Sequence, residues 1–343
     1  MHYHRILFVL IVSFISFCTW CSSEDEVFSE AELSFRSIVG PDDHHEVLKE
    51  TIDSAQRSLL MTSESISFLK KDIYQALKNA YHRRGVNIYI YYRRSLDREA
   101  GFFLQNISTL QQRNIHAKIL VADENSLTIG SQNWLDFDYS HGYNRSIKIE
   151  GDECFISPIK EQIWGRIRHY GNIYYGNESL NDTPDTILNY FLDSEGHSQI
   201  SLLSLLDTHE SFFDEVCRTA QKDIHIYSPF VNFHNATQRL LSAVNLINPA
   251  VIIKLFIWPQ ESADELVDFI KANNKLSKHI EIYELDQNCH HKTIVRDEDL
   301  ISEGSFNWLS SSLSEESQGH NLDCSLVCEG LWAKEMIESV NEE

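Results

Sequence analysis

The chain has 343 residues, of which 42% are hydrophobic and 11% are aromatic. This composition provides for a large folded core and excludes a predominantly disordered protein. The formal net charge is -22, so the average surface field repels polyanions. That charge argues against a protein whose main task is to grip nucleic acid, although a local basic cleft would outweigh a distant surface charge.

The N-terminus has the order of a targeting segment. Residues 1–5 carry the positive charge, residues 6–20 are almost wholly apolar, and residues 21–23 are small before an acidic run begins. This order predicts a secretory signal peptide over residues 1–23. The alternative is an uncleaved N-terminal anchor, for which the apolar run is at the short end. Either one predicts a secreted or cell-envelope protein, periplasmic or membrane-anchored.

The rest of the chain contains the same order of predicted helices and strands twice. Helix, strand, helix and strand are predicted over 47–57, 58–62, 69–84 and 86–92, and again over 212–222, 223–228, 235–245 and 251–258. Such alternation predicts an α/β sandwich with helices on the sheet faces. A turn-rich stretch at Gly171–Asp185 predicts a linker. We therefore expect a first half over 35–170 and a second half over 186–343.

The repeat is sharpest in one polar motif. Each copy is His-x-Lys, four residues, Asp, six residues, and Gly-Ser-x-Asn-Trp. The first copy contains His116, Lys118, Asp123, Ser131 and Asn133. The second copy contains His290, Lys292, Asp297, Ser305 and Asn307.

The spacing of the motif predicts one polar cluster in each half. Residues i and i+2 of a strand point to the same face, so each histidine projects with the lysine that follows it. Asp123 and Asp297 come where a strand ends and a turn begins. The Gly-Ser pairs allow a returning strand to approach closely and to bring an amide and a hydroxyl near each histidine.

Two such clusters suit the cleavage of a phosphodiester without a metal. One neutral imidazole attacks phosphorus and forms a phosphohistidine, while the other, protonated, donates to the leaving oxygen. Lysines and asparagines stabilise charge on the non-bridging oxygens. No additional cluster of Asp or Glu suggests a metal site, so we expect no cofactor.

The paired motifs resemble the HKD motifs of the phospholipase D superfamily, and both copies are complete. The similarity of plan runs from about Phe35 to the end of the chain. The resemblance implies two similar α-β-α sandwich halves, related by a pseudo-twofold axis and sharing one active site. It implies that His116 and His290 form the catalytic pair, with Lys118, Lys292, Asn133 and Asn307 binding phosphate. It also implies that Asp123 and Asp297 support structure, while Ser131 and Ser305 are further candidates for substrate binding.

A carboxylate distinguishes the two histidines. Members of the family commonly place a carboxylate some way after each catalytic histidine, where it orients the imidazole of the other half. Asp323 fits this position after His290, whereas the matching stretch after His116 has Asn144. We therefore expect Asp323 to orient His116 as the nucleophile, leaving His290 as the general acid.

Several functions are compatible with this site. The leading hypothesis is a phospholipase D that hydrolyses phospholipids, with transfer to an alcohol as a variant. A metal-independent endonuclease of the same superfamily is disfavoured by the net charge. A phosphatidyltransferase of the cardiolipin synthase kind usually carries more membrane sequence. A non-catalytic binding module would have no need of two intact motifs. We thus expect a phospholipid or membrane-surface substrate, with nucleic acid a weaker candidate.

Overall fold

The computed structural model describes residues 33–66, 70–94, 108–111, 115–136, 143–151, 153–174, 188–191, 199–203, 206–285, 289–312 and 321–341. All of these belong to one compact unit, Glu32–Glu343. The predicted targeting segment 1–23 lies outside the described residues, as does the predicted linker beyond Tyr174. None of the helices within the described ranges is both long and apolar enough to cross a membrane.

The first half is built on a seven-stranded mixed sheet. Its strands are β1 (Ser34–Val39), β2 (Ser58–Ser63), β3 (Asn87–Tyr92), β4 (Ser108–Gln111), β5 (Lys118–Ala122), β6 (Ser126–Gly130) and β7 (Arg145–Glu150). They lie in the order β1-β7-β6-β5-β2-β3-β4. The helices of this half are α1 (Gly40–Ser54), α2 (Lys71–Arg84) and α3 (Glu153–Tyr174).

The second half is built on an eight-stranded sheet. Its strands are β8 (Leu188–Phe191), β9 (Gln199–Leu203), β10 (Asp223–Ser228), β11 (Ile252–Ile257), β12 (Ile280–Glu284), β13 (Thr293–Arg296), β14 (Leu300–Gly304) and β15 (Ser325–Glu329). The helices are α4 (Leu206–Thr219), α5 (Phe233–Leu246), α6 (Glu261–Ala272) and α7 (Leu331–Asn341), with a 3-10 turn at Leu276–Lys278.

The two sheets have the same topology. The order in the second sheet is β12-β11-β10-β13-β14-β15-β9-β8, which matches the first strand for strand and adds β8 at one edge. The directions match as well: β2–β3 and β10–β11 are parallel, while β2–β5 and β10–β13 are antiparallel. The prediction of an α/β fold with two similar halves is thereby confirmed.

Three apolar clusters form the core. One packs α1 and α2 against the outer face of the first sheet, and a second packs α4, α5 and α6 against the outer face of the second sheet. The third combines strand residues of both sheets, such as Ile119 and Leu326, with residues of α3 and α7. Because this central cluster draws on both sequence repeats, the halves are joined by a shared core.

The predicted helix ends at 55–57 and 220–222 differ from the structure. Helix α1 ends at Ser54 and α4 ends at Thr219. The residues that follow are bound by the motif aspartates: Asp123 accepts the backbone N–H groups of Gln56, Arg57 and Ser58 at 2.7–2.9 Å. Asp297 does the same at the start of β10. A distant carboxylate therefore takes the donors that a continuing helix would have used.

Gly130 and Gly304 permit the close strand approach that the motif predicted. A Cβ atom on Gly130 would overlap the backbone of Arg145 and Ser146, and one on Gly304 would overlap Cys324 and Ser325. Each glycine is the last residue of the hairpin strand that follows its motif lysine. The motif can therefore bring β7 and β15 directly against the segment that carries its serine and asparagine.

Candidate active site

The motif histidines lie where the two halves meet. His116 precedes β5, and its backbone N–H donates to the carbonyl of Leu322 from the other half at 3.0 Å. His290 precedes β13, and its backbone N–H donates to the carbonyl of Tyr143 at 2.7 Å. His116 is thus held beside Asp323, which follows Leu322, and His290 is held beside Asn144, which follows Tyr143.

His116 is paired with a buried carboxylate. Its Nδ1 lies 2.6 Å from Oδ1 of Asp323, which also accepts a hydrogen bond of 2.6 Å from the Ser305 hydroxyl. Because a carboxylate only accepts, Nδ1 carries the proton and Nε2 keeps a lone pair. Burial, and next the charge of Lys118, lower the pKa of His116 against the opposite effect of Asp323. The imidazole is therefore neutral at pH 7, and its Nε2 lone pair is available.

His290 is paired with an amide. Its Nδ1 lies 2.9 Å from Oδ1 of Asn144, whose Nδ2 donates to Oε1 of Gln132 at 2.9 Å. The bond to Gln132 fixes the amide orientation, so its oxygen faces the ring and His290 Nδ1 is the donor. Rings of Phe230 and Trp258 lie near this imidazole, with centroids 5.5 and 6.0 Å away.

Two buried lysines stand beside the histidines. Lys118 Nζ donates to the carbonyl of His116 at 2.5 Å, and Lys292 Nζ donates to the carbonyl of His290 at 2.6 Å. Burial lowers the pKa of Lys118 to about 8. Burial, and then the charge of Lys118, lower the pKa of Lys292 well below its usual value. The effect of Lys118 on Lys292 places both amino groups in one electrostatic environment.

The two motif asparagines differ in their partners. Asn133 Oδ1 accepts the backbone N–H of Glu64 at 2.9 Å. The equivalent residue in the second half is Pro229, which follows Ser228 as Glu64 follows Ser63. Proline has no N–H to donate. Accordingly, Oδ1 of Asn307 is buried without a hydrogen-bond partner among the described residues.

The predicted serines and aspartates take backbone-holding positions. Ser131 exchanges hydrogen bonds with the backbone of Arg145, and Ser305 accepts the N–H of Cys324 while donating to Asp323. Their contact with a substrate stays a prediction. Asp123 and Asp297 lie at the far end of their strands, with φ of +51° and +50°, where they bind the start of β2 and β10.

Glu64 is a site residue that the sequence analysis missed. Its Oε2 lies 3.9 Å from Nε2 of His116, and its Oε1 lies 2.8 Å from Arg94 and 3.7 Å from Arg93. A single glutamate after a strand belongs to no motif. The one available signal was its position directly after β2, at the strand end where the paired half has Ser-Pro.

A matched pair of buried histidines also escaped prediction. His44 on α1 bonds to the hydroxyl of Ser146 at 2.9 Å, and His209 on α4 bonds to that of Ser325 at 3.1 Å. Their rings lie 5.5 and 5.7 Å from the motif residues Trp134 and Trp308. Burial lowers the pKa of His44 to about 4, so it is neutral and packs as a core residue.

These residues form a single centre, because each half supplies the support for the histidine of the other. Two imidazoles, two ammonium groups and two amides are brought to one junction. Among the described residues, no group of three or more His, Cys, Asp or Glu side chains is arranged to hold a metal ion. The chemical groups at the centre are an imidazole with a free Nε2 lone pair, a second imidazole that can transfer protons, and lysine amino groups that can bind phosphate oxygens when charged.

A family model described as a PLD-like domain of cardiolipin synthase matches residues 48–163. No curated protein sequence matches the chain. The structure of phosphatidylserine synthase from Haemophilus influenzae Rd KW20 is similar, with a TM-score of 0.61 and 13% identity, over 90% of this chain and 85% of that one. Polyphosphate kinase from Porphyromonas gingivalis gives a TM-score of 0.58 and 13% identity, over 90% of this chain and 50% of that one. Nuc from Salmonella typhimurium, a phospholipase D family member, is 20% identical over 43% of this chain and 97% of its own, with a TM-score of 0.34.

Proposed function

The chain belongs to the phospholipase D superfamily, and on that premise we propose that it cleaves the phosphodiester bond of a phospholipid through a phosphohistidine on His116. Water then releases a phosphatidic acid. Phospholipase D activity of this kind needs a single centre with two imidazoles in different protonation states.

The observation that carries this proposal is the crossed pairing of the histidines. Asp323 of the second half holds His116 of the first, and Asn144 of the first half holds His290 of the second. An imidazole beside a carboxylate is well suited to become positively charged, whereas one beside an amide gains no such charge stabilisation. The asymmetry supports His116 as the nucleophile and His290 as the general acid.

In the first step, the Nε2 lone pair of His116 attacks phosphorus and the bond from phosphorus to the leaving oxygen breaks. His290 gives its Nε2 proton to that oxygen, so the head group departs as an alcohol and not as an alkoxide. The proton on Nδ1 of His116 remains bound to Asp323, whose charge stabilises the cationic phosphoimidazole.

In the second step, the now neutral His290 takes a proton from water, and the hydroxyl oxygen attacks phosphorus. The bond from phosphorus to His116 breaks and returns the electron pair to Nε2. Lys118 and Lys292, with the amides of Asn133 and Asn307, are proposed to bind the non-bridging oxygens throughout. Their buried positions make each charge more effective than it would be in water.

Transfer to an alcohol is a second candidate function. The family model that matches residues 48–163 carries the description of a PLD-like domain of cardiolipin synthase, and one similar structure is a phosphatidylserine synthase. In a phosphatidyltransferase, an alcohol replaces water in the second step and the same residues serve. The chemistry of the centre suits both acceptors, so the acceptor decides between hydrolase and transferase.

The experiment is to incubate the purified chain, with EDTA present, with vesicles of mixed phospholipids, with and without glycerol or ethanol. We expect phosphatidic acid in water and a phosphatidyl-alcohol when an acceptor is added. His116→Ala is the control and should release nothing. Absence of any lipid product, combined with cleavage of single-stranded or duplex DNA under the same conditions, would replace this proposal with the endonuclease alternative.

We also propose that the protein acts outside the cytoplasm, in the secreted fraction or the cell envelope. The basic, apolar and small-residue order of residues 1–23 supports this location. Expression of the chain with a C-terminal tag, followed by fractionation, tests it. Recovery of the protein entirely in the cytoplasmic fraction would contradict the proposal.

A further inference from the structure

We propose that Glu64 is a positioning residue for the nucleophile: its carboxylate, clamped by Arg94 and Arg93, favours the charged form of His116 as its bond to phosphorus is made. The proposal rests on the proposed function, in which His116 is the nucleophile. It assigns a role to a residue that lies outside both motifs.

The backbone of Glu64 is fixed from two sides. Its N–H donates to Oδ1 of Asn133 at 2.9 Å, and its carbonyl accepts the N–H groups of Arg93 and Arg94 at 3.1 and 2.8 Å. The residue therefore connects the end of β2 to the end of β3 and to the motif asparagine. These bonds fix the position and direction from which the Glu64 side chain leaves the backbone.

The carboxylate of Glu64 lies between a guanidinium and the nucleophilic nitrogen. Oε1 is 2.8 Å from Arg94, and Oε2 is 3.9 Å from Nε2 of His116. Burial opposes the charged form, but Lys118, His116, Arg94 and Arg93 together lower the pKa of Glu64. The carboxylate is consequently an anion at neutral pH. His116 thus has a carboxylate on each side, Asp323 at Nδ1 and Glu64 at Nε2.

The second half lacks this arrangement. Pro229 stands in place of Glu64, and the ring of Phe230 faces His290 instead. Within the described parts of the chain, the carboxylate that follows β2 therefore has no counterpart after β10, and it lies beside the histidine that becomes cationic when its bond to phosphorus forms. The difference follows the same asymmetry as Asp323 and Asn144, but it arises from another part of each sheet.

The reaction explains why such an anion is useful. When the Nε2 lone pair forms the bond to phosphorus, the imidazole changes from neutral to positively charged. A nearby carboxylate stabilises that charge. It would also repel the phosphate oxygens, and Arg94 and Arg93 offset this repulsion because they hold the far oxygen of the same carboxylate.

The charged groups that act on His116 come from several elements. They are Asp323 before β15, Lys118 on β5 and Glu64 after β2. Arg93 and Arg94, after β3, act in turn on Glu64 and Lys118. Removing the anion at Glu64 destabilises the imidazolium, so the pKa of His116 falls. Removing the cation at Arg94 leaves the anion of Glu64 less neutralised, so the pKa of His116 rises.

The test is the pH dependence of kcat/KM with a soluble phosphodiester, bis(p-nitrophenyl) phosphate, for the full chain and its Glu64→Gln, Arg94→Ala and doubly substituted forms. The acid limb, which reports the neutral nucleophile, should move to lower pH in Glu64→Gln and to higher pH in Arg94→Ala. When Glu64→Gln is already present, Arg94→Ala should shift the acid limb much less than it does in the unsubstituted chain. The plateau rate of Glu64→Gln should fall roughly 2- to 100-fold, the range of coupling between charged neighbours.

Two further variants keep the outcome decisive. Glu50→Gln removes an exposed carboxylate on α1 that pairs with Arg36, and it should leave the limb unchanged. Glu64→Asp keeps the negative charge, so its acid limb should lie close to that of the unsubstituted chain. This variant tests the role of the charge even if Glu64→Gln folds poorly. An acid limb in Glu64→Gln that does not move, with His116→Ala inactive, overturns the role of Glu64 while leaving the proposed function standing. Full activity of His116→Ala would overturn the proposed function itself.

Discussion

Replacement of Asp323 by Asn tests the charge that supports the nucleophile while changing few atoms. Oδ1 of Asp323 accepts from both His116 Nδ1 and the Ser305 hydroxyl at 2.6 Å. An asparagine oxygen can accept both bonds, and Oδ1 of Asn144 already makes the equivalent contact with Nδ1 of His290. The substitution therefore preserves the tautomer of His116 and removes only the negative charge.

The magnitude follows from the distance. A carboxylate and an imidazolium in contact have charge centres about 4 Å apart, which is worth about 4 kcal/mol at an effective dielectric constant of about 20. Part of this is recovered by the neutral hydrogen bond. We expect a loss of about 3–4 kcal/mol in the stabilisation of the cationic intermediate, or about 10²- to 10³-fold in kcat/KM.

The assay is the steady-state release of p-nitrophenol from bis(p-nitrophenyl) phosphate by Asp323→Asn. The matched control is Asn144→Asp, which adds the same charge at His290 and should slow the first step far less, because the general acid starts protonated. Thermal unfolding verifies that both variants fold. Kinetics of Asp323→Asn within about threefold of the unsubstituted chain would refute the reasoning, as would a larger loss from Asn144→Asp.

Three other outcomes are expected. Gly130→Ala should lower the free energy of unfolding in urea by about 3 kcal/mol or more, because its Cβ would overlap the Arg145 carbonyl; Gly165→Ala, which meets nothing within 4 Å, should raise it by up to about 1 kcal/mol. Burial raises the pKa of Glu303 from 4.5 to about 7, so the folded state holds a proton that the unfolded state has lost, and the free energy of unfolding falls as pH rises from 4.5 to about 7. Glu303→Gln should remove this fall, and an unchanged slope of stability against pH would contradict the prediction. Since burial lowers the pKa of Lys118 to about 8 and the proposed phosphate binder must be charged, kcat/KM should decline as pH rises through about 8, and a profile that stays flat there would count against this role.

Much of the fold was predictable because it is written twice. Periodicity placed β2 and β10 within a residue of their observed bounds. The predicted helix end at residue 84 is also observed, and Gly85 follows it with φ of +70°. The helix ends at 55–57 and 220–222 were wrong because their N–H groups bind Asp123 and Asp297, some 70 residues away in the chain. No local pattern reports a bond over that distance.

The motif residues of the site were predictable for the same reason, and their surroundings were not. Identical spacing indicated His116 and His290, and Asp323 contacts His116 as the sequence predicted. Glu64 reaches Nε2 of His116 only because β2 and β5 are neighbours in the folded sheet. Among the described residues, Oδ1 of Asn307 likewise has no hydrogen-bond partner because Pro229, which stands where the first half has Glu64, has no N–H to donate.

The position of a trapped phosphate adduct tests the central claim most directly. His290→Ala lacks the base that activates water, so with a substrate whose leaving group needs no acid it should accumulate the phosphoenzyme. After an alkaline quench, which preserves the bond between phosphorus and nitrogen, peptide mass spectrometry should locate the adduct on His116, and His116→Ala should yield none. An adduct on His290 in His116→Ala, with none on His116 in His290→Ala, would contradict the account.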